Sequence, residues 1–224
     1  MSEIPLVVAS GNTGKIKELG RFFETLQSAP GIPTWVLQAK PDQLDIEETG
    51  TTFAANAVQK AVGIALATRQ WAIADDSGLC VDGLGGAPGV YSARYAPTDQ
   101  ERNLKLLAEL KQVLRQHGQD PDDLNHRTAS FECAIALSDP DGQVRIAVTG
   151  SCPGQIALSP SGAGGFGYDP LFWVPELRQT FAEMDPADKA RIGHRGRALQ
   201  LFKTALQQDW SEDWLNTPQA GSVG

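Results

Sequence analysis

Three features of the sequence predict a mixed α/β fold around one sheet, with two lobes flanking a cleft. A short apolar strand, Ile4 to Ala9, runs through the turn Ser10-Gly11-Asn12-Thr13-Gly14 into helix-spaced residues from Lys15. Strand-like and helix-like segments then alternate. From Ala129 the apolar period changes to two, which marks a hairpin.

The elements follow in order. Ile16, Leu19, Phe23 and Leu26 give the first helix its apolar stripe, and Trp35 to Ala39 is a second strand. Phe53 to Thr68 is an alanine-rich helix that carries Asn56 and Lys60 on one face, four residues apart. Trp71 to Ala74 is a third strand, and it ends in Asp75 and Asp76 at a tight Ser77-Gly78 turn. Thr98 and Glu101 form a capping box for a helix with the stripe Leu104, Leu107, Leu110 and Leu114. Ala129 to Leu137 and Val144 to Val148 alternate around Asp139-Pro140-Asp141-Gly142. Leu171 to Val174 is a further strand. Asp185-Pro186 opens the helical C-terminal region, whose last stripe is Ala198, Leu201, Phe202, Ala205 and Leu206. The reading is one domain over residues 1–209 and a flexible tail over 210–224, with Trp210 and Trp214 isolated in it.

Bulk properties exclude several classes. The chain has 224 residues and 41% hydrophobic content, enough for a buried core. No apolar run reaches the ~20 residues that cross a bilayer. The start lacks a secretory pattern, so the expectation is a cytoplasmic protein without a membrane partner. Cys80, Cys133 and Cys152 form no Cys-x-x-Cys pair, which disfavours disulfides and thiolate zinc. A net charge of −8 disfavours polymeric nucleic acid as a partner and leaves small phosphorylated ligands open.

Four segments carry chemistry. Ser10, Gly11, Asn12, Thr13, Gly14 and Lys15 join a strand to a helix, where free N–H groups, the helix dipole and an ammonium suit phosphate. The segment fails the Walker A pattern, because Ala9 and Ile16 stand where a glycine and a hydroxyl residue belong. Glu48, Asp75 and Asp76 offer hard oxygen ligands for Mg²⁺. Phe166, uncovered between glycines in Gly164-Gly165-Phe166-Gly167-Tyr168-Asp169-Pro170, suits stacking on a nucleobase. Lys189, His194 and Arg195 cluster donors at a helix junction. Each segment also has a plain reading as turn, core or solvated charge.

Taken together, these motifs resemble the inosine triphosphate pyrophosphatases, also called XTP/dITP diphosphatases. Ser-Gly-Asn-Thr-Gly-Lys at 10–15, Glu-Glu-Thr-Gly at 47–50, Asn56-Ala57 with Lys60, and Asp-Asp-Ser-Gly-Leu at 75–79 occur in that family's order. Leu84 to Tyr95, Gly164 to Pro170 and His194-Arg195-Gly196 continue it. The resemblance implies an elongated mixed-sheet α/β fold with two lobes around a central nucleotide cleft, and a homodimer. It implies Mg²⁺-dependent hydrolysis of ITP, dITP and XTP to the monophosphate and pyrophosphate, which cleanses the nucleotide pool.

By the same resemblance, Ser10 to Lys15 hold the triphosphate. Glu48 and Asp76 bind Mg²⁺ with Asp75 beside them, and Asp76 accepts the proton of the attacking water. Ser77, Asn56 and Lys60 contact substrate. Phe166 stacks on the purine, and Gly167, Tyr168 and Asp169 complete that wall. Lys189, His194 and Arg195 read the base edge. Two positions depart from the family pattern: Gly193 replaces the serine usual before His-Arg-Gly, and Ala55 replaces a glutamate usual before Asn-Ala. Rival readings are a pyrophosphatase for modified pyrimidine nucleotides, a non-catalytic nucleotide sensor and a structural dimer.

Overall fold

The computed structural model of the chain describes residues 3–26 and 32–214. Its elements are β1 (Glu3–Val8), α1 (Thr13–Leu26), β2 (Thr34–Ala39), α2 (Phe53–Thr68), β3 (Trp71–Val81), α3 (Asp99–Gln116), β4 (Thr128–Ser138), β5 (Val144–Ile156), β6 (Phe172–Val174), β7 (Gln179–Thr180), α4 (Pro186–Ile192) and α5 (His194–Asp209). Among the described residues the strands form one seven-stranded sheet, in the order β2-β1-β3-β4-β5-β6-β7. β1 pairs in parallel with β2 and β3, whereas β6 pairs antiparallel with β5 and β7. The sheet is therefore mixed, as the sequence predicts.

The chain divides into two compact units. One comprises residues up to Asp76, Ala134–Thr149 and the chain from Ala198 onward; the other comprises Ser77–Cys133 and Gly150–Arg197. β3, β4 and β5 each pass from one unit into the other, so neither unit is a continuous piece of sequence.

The first unit is built on α1, whose buried Leu19, Phe22, Phe23 and Leu26 follow helical spacing. Phe22 and Phe23 meet Phe202 of α5 edge-on, with centroids 6.3 and 6.2 Å away. Trp35 of β2 and Trp71 of β3 pack with Trp210, and Trp214 stacks on Trp71 at 6.1 Å and 18°. Trp210 and Trp214 are thus part of a four-tryptophan cluster rather than isolated, because the rings of Trp35 and Trp71 give them edges and faces to pack on. The expected tail beyond residue 214 lies outside the described residues.

In the second unit, Leu79, Val81, Leu106, Leu110, Leu114, Phe131, Phe172 and Phe181 form the core. α3 opens with the expected capping box, Thr98 with Glu101. Its buried face differs from the expected stripe: Leu106 is 0% exposed and Leu104 is 58% exposed. Asn103, Leu106, Leu110 and Leu114 are the buried set. Both stripes have helical spacing, and only the packing partner selects between them.

β3 departs further from expectation. The expected turn at Ser77-Gly78 is absent, and the strand runs eleven residues from Trp71 to Val81 with both aspartates inside it. Pairing satisfies the two carboxylates, and Leu79, Cys80 and Val81 prolong the extended segment. Asp75 meets Lys15 of α1, and Asp76 meets Asn56 and Lys60 of α2. No helix among the described residues is long and apolar enough to cross a membrane.

Candidate functional site

In the first unit, the turn after β1 is tied to β3 by the Ala9 N–H, which donates to the Ile73 carbonyl at 2.8 Å. Asn12 Oδ1 accepts from the N–H groups of Gly14 and Lys15 at 2.9 and 3.2 Å, and so caps the start of α1. Gly11, Asn12 and Thr13 are exposed. Lys15 reaches back to β3 and pairs with the buried Asp75, Nζ to Oδ2 3.1 Å.

Asp76 meets α2. Thr52 caps that helix by accepting from the Ala55 N–H. One turn on, Asn56 is 1% exposed and bridges two partners. Its Nδ2 donates to Asp76 Oδ2 at 3.0 Å, and its Oδ1 accepts from the Gly50 N–H at 2.8 Å. Lys60, on the same face as predicted, places Nζ 2.6 Å from Glu48 Oε1 and 3.5 Å from Asp76 Oδ1.

Gln59 belongs to this arrangement although the sequence does not single it out. It accepts from the Thr49 N–H at 3.1 Å and donates to Thr49 Oγ1 at 2.9 Å, which clasps the Glu48 loop to α2. Its only sequence signal is adjacency to Lys60.

The charges shift one another. Burial pushes the Asp76 carboxyl above the ordinary carboxylate range, with Glu48 adding to the push, and Lys60, the Asn56 amide and Lys15 pull against it. Burial would lower the Lys60 ammonium, but Asp76, Glu48 and Asp75 outweigh it and hold Lys60 above its usual value. Glu48 and Asp76 are hard oxygen donors, the chemistry a divalent cation such as Mg²⁺ takes. No group of three or more His, Cys, Asp or Glu side chains among the described residues is gathered into a metal cage.

The second unit holds the other predicted residues. Phe166 is 37% exposed, which leaves part of its ring open to a ligand. Its N–H donates to Asp169 Oδ2 at 2.7 Å. Lys189 of α4 pairs with the same oxygen at 2.6 Å, and its Nζ lies 5.0 Å from the Phe166 ring centroid. Gly165 has φ +74°, and a Cβ there would fall 2.0 Å from Asp169 Oδ2. That position needs glycine on both counts.

Two residues that the sequence missed hold the loop from the other side. Asp99 Oδ2 accepts from the Gly167 N–H at 2.9 Å, and Asn103 Nδ2 donates to the Gly167 carbonyl at 3.2 Å. Both lie at the start of α3, where the capping box hides their second role. With Leu104, Pro160 and Phe166 they line a concavity of ≈ 470 Å³.

Tyr168 lies beneath this surface. It is buried in the core, and its hydroxyl donates to the Ser92 carbonyl at 2.9 Å. His194 is also buried, its ring stacked on Phe131 at 4.6 Å and 12°. Arg195 is buried and donates from NH2 to Ser77 Oγ at 2.9 Å. Gly193 closes α4 through an N–H to the Lys189 carbonyl, and a Cβ at 193 would stand 2.6 Å from that oxygen. The structure thus joins Lys15 to Asp75, gathers Glu48, Asn56, Lys60 and Asp76, gathers Phe166, Asp169 and Lys189, and joins Ser77 to Arg195.

The Ham1 family model matches residues 6–205, which spans both clusters. The chain belongs to the Ham1 family. A dITP/XTP pyrophosphatase from Synechocystis sp. is 47% identical over 194 residues, covering 87% of this chain and 91% of the relative. The dITP/XTP pyrophosphatase of Gloeobacter violaceus is 51% identical over 195 residues, covering 87% and 90%. Among solved structures, a HAM1 protein from Coxiella burnetii matches with a TM-score of 0.78 at 40% identity, covering 92% of this chain and 99% of that one. The Staphylococcus aureus Ham1 protein matches with a TM-score of 0.76 at 35% identity, covering 92% and 100%. These Ham1 relatives align over nearly their whole length.

Proposed function

We propose that this protein is a nucleoside-triphosphate pyrophosphatase that hydrolyses dITP, ITP and XTP to the monophosphate and pyrophosphate. The observation that carries the reading is the Glu48, Asn56, Lys60 and Asp76 cluster, in a chain whose Ham1 relatives are dITP/XTP pyrophosphatases. On this reading the residues around Glu48 and Asp76 take the triphosphate. Lys15 and Lys60 offer ammonium groups to phosphate oxygens, and exposed Gly11 to Thr13 present backbone there.

Asp76 takes a proton from water as the water oxygen bonds to the α-phosphorus. The bond from that phosphorus to the leaving pyrophosphate oxygen breaks in the same displacement. Burial makes Asp76 a stronger base than an exposed aspartate. A bound divalent cation, assigned here as Mg²⁺ at Glu48 and Asp76, supplies neutralisation of phosphate charge.

On this reading Phe166 and its neighbours take the base. Phe166 offers a ring face for stacking. Lys189 and Arg195 are donors suited to the C6 oxygen of hypoxanthine and xanthine. Adenine carries an amino donor at that position, and leaving buried donors unpaired rejects such a substrate by roughly 10⁴-fold. The protein acts as a homodimer in the cytoplasm on this reading.

The test is pyrophosphate release from dITP, XTP, GTP, ATP and dTTP, with Mg²⁺ or EDTA, for wild type and Asp76→Asn. Mg²⁺-dependent turnover of dITP and XTP far above the rest, lost in the variant, is the expected result. Turnover confined to dTTP discards the base reading, and no turnover discards the enzyme.

A further inference from the structure

Lys60 occupies an unusual place. Its ammonium lies against two carboxylates assigned above to a divalent cation, 2.6 Å from Glu48 and 3.5 Å from Asp76. The carboxylates are held from behind. Asn56 fixes the second oxygen of Asp76, and the Gln59–Thr49 clasp fixes the loop that carries Glu48. The adaptable partner is Lys60, a single charge on a flexible four-carbon stem.

We propose that Lys60 is a competitor built into the site: its ammonium and the divalent cation hold the Glu48–Asp76 pair in alternation, and the triphosphate decides between them. The inference rests on the functional reading given above. Charge and geometry carry it. Three carboxylates, Glu48, Asp75 and Asp76, face two ammonium groups, Lys15 and Lys60, so the set is within one charge of neutral. A free dication arriving there meets an ammonium already in place, and displacing it strands a positive charge in a half-buried position.

A triphosphate removes that obstacle. Its oxygens give Lys60 a new anionic partner, and the carboxylates become open to the cation. The cation therefore enters with the nucleotide and not ahead of it. The coupling is reciprocal, so the cation strengthens nucleotide binding by the same factor.

The test titrates Mn²⁺ alone into wild type, Lys60→Met and Lys60→Arg, by calorimetry and by the Mn²⁺ paramagnetic signal. Circular dichroism melting checks that each variant folds. Lys60→Met is expected to bind Mn²⁺ about 10-fold tighter or more than wild type, within the range of ordinary site-to-site couplings. Mn²⁺ then also raises its melting temperature. Lys60→Arg, which keeps the charge, stays near wild type. Adding Glu48→Gln to Lys60→Met abolishes the gain. A dITP analogue with a methylene in place of the α,β-bridging oxygen tightens Mn²⁺ binding in wild type and does so less in Lys60→Met.

If Lys60→Met binds Mn²⁺ no tighter than wild type while wild type turns over dITP with Mg²⁺, the competition is overturned and the functional reading stands. Should Lys60→Met misfold, Lys60→Gln is titrated in its place under the same criterion. Metal-independent turnover, or none, overturns the functional reading, whatever the Mn²⁺ titration gives.

Discussion

Replacing Asn56 by alanine removes two hydrogen bonds from a residue that is 1% exposed. One is donated to the Asp76 carboxylate at 3.0 Å, and the other is accepted from the Gly50 N–H at 2.8 Å. A bond to a charged group contributes about 1.5–3 kcal/mol and a neutral one about 1 kcal/mol, so the loss is about 2.5–4 kcal/mol. At roughly 2–4 °C per kcal/mol for a chain of this size, the melting temperature falls by on the order of 10 °C. The catalytic effect has a definite sign. The Asn56 donor favours the ionised form of Asp76 and opposes the push from burial. Without it the carboxyl rises further, and the acid limb of kcat/KM for dITP moves to higher pH. Activity is lost most at acid pH and recovers partly on the alkaline side. The assays are pyrophosphate release across pH and thermal melting. A lower melting temperature with an unmoved acid limb would refute the assignment of Asp76 as the base. An unchanged melting temperature would refute the bridging role of Asn56.

Further outcomes follow from the same contacts. Gly50→Ala places a Cβ 2.6 Å from Asn56 Oδ1, so it is expected to shift the acid limb in the same direction by displacing the amide, as read by the same pH profile. Gly165→Ala combines a φ of +74° with a Cβ 2.0 Å from Asp169 Oδ2; it should raise KM for dITP as Asp169 and Lys189 separate, and an unchanged KM would show that their pairing does not serve the base. Phe166→Ala loses a stacking face worth about 1–3 kcal/mol, so KM for dITP rises roughly 5- to 150-fold with a smaller change in kcat. Asp76→Asn should melt no lower than wild type at pH 7 in EDTA while losing turnover. The sign follows from the raised carboxyl. The folded state holds the Asp76 proton to higher pH than the unfolded chain, so this group's stabilising contribution is present in acid and is lost as pH rises through the folded value. A clear drop in the melting temperature of Asp76→Asn would count against that account.

The sequence by itself determined the features that depend on near neighbours. Thr98 and Glu101 cap a helix because both groups lie within one turn. Asn56 and Lys60 share a face because four residues nearly complete a turn. Phe53–Thr68 emerges with the predicted bounds for the same reason. The motif residues were also legible, because glycines beside charges leave a local mark.

Tertiary structure alone decided what depends on distant partners. Asp75 and Asp76 stay inside β3 instead of turning because Lys15, Asn56 and Lys60, sixteen or more positions away, satisfy them. Leu106 faces the core in place of Leu104 because the packed neighbours of α3 choose between two equally periodic stripes. Trp210 and Trp214 join Trp35 and Trp71 across more than a hundred residues, and Arg195 meets Ser77 at a separation of 118. Periodicity and caps are encoded within a turn or two of chain. Which charge neutralises which, and which face is buried, is an energy of contacts that exist only once the chain has folded.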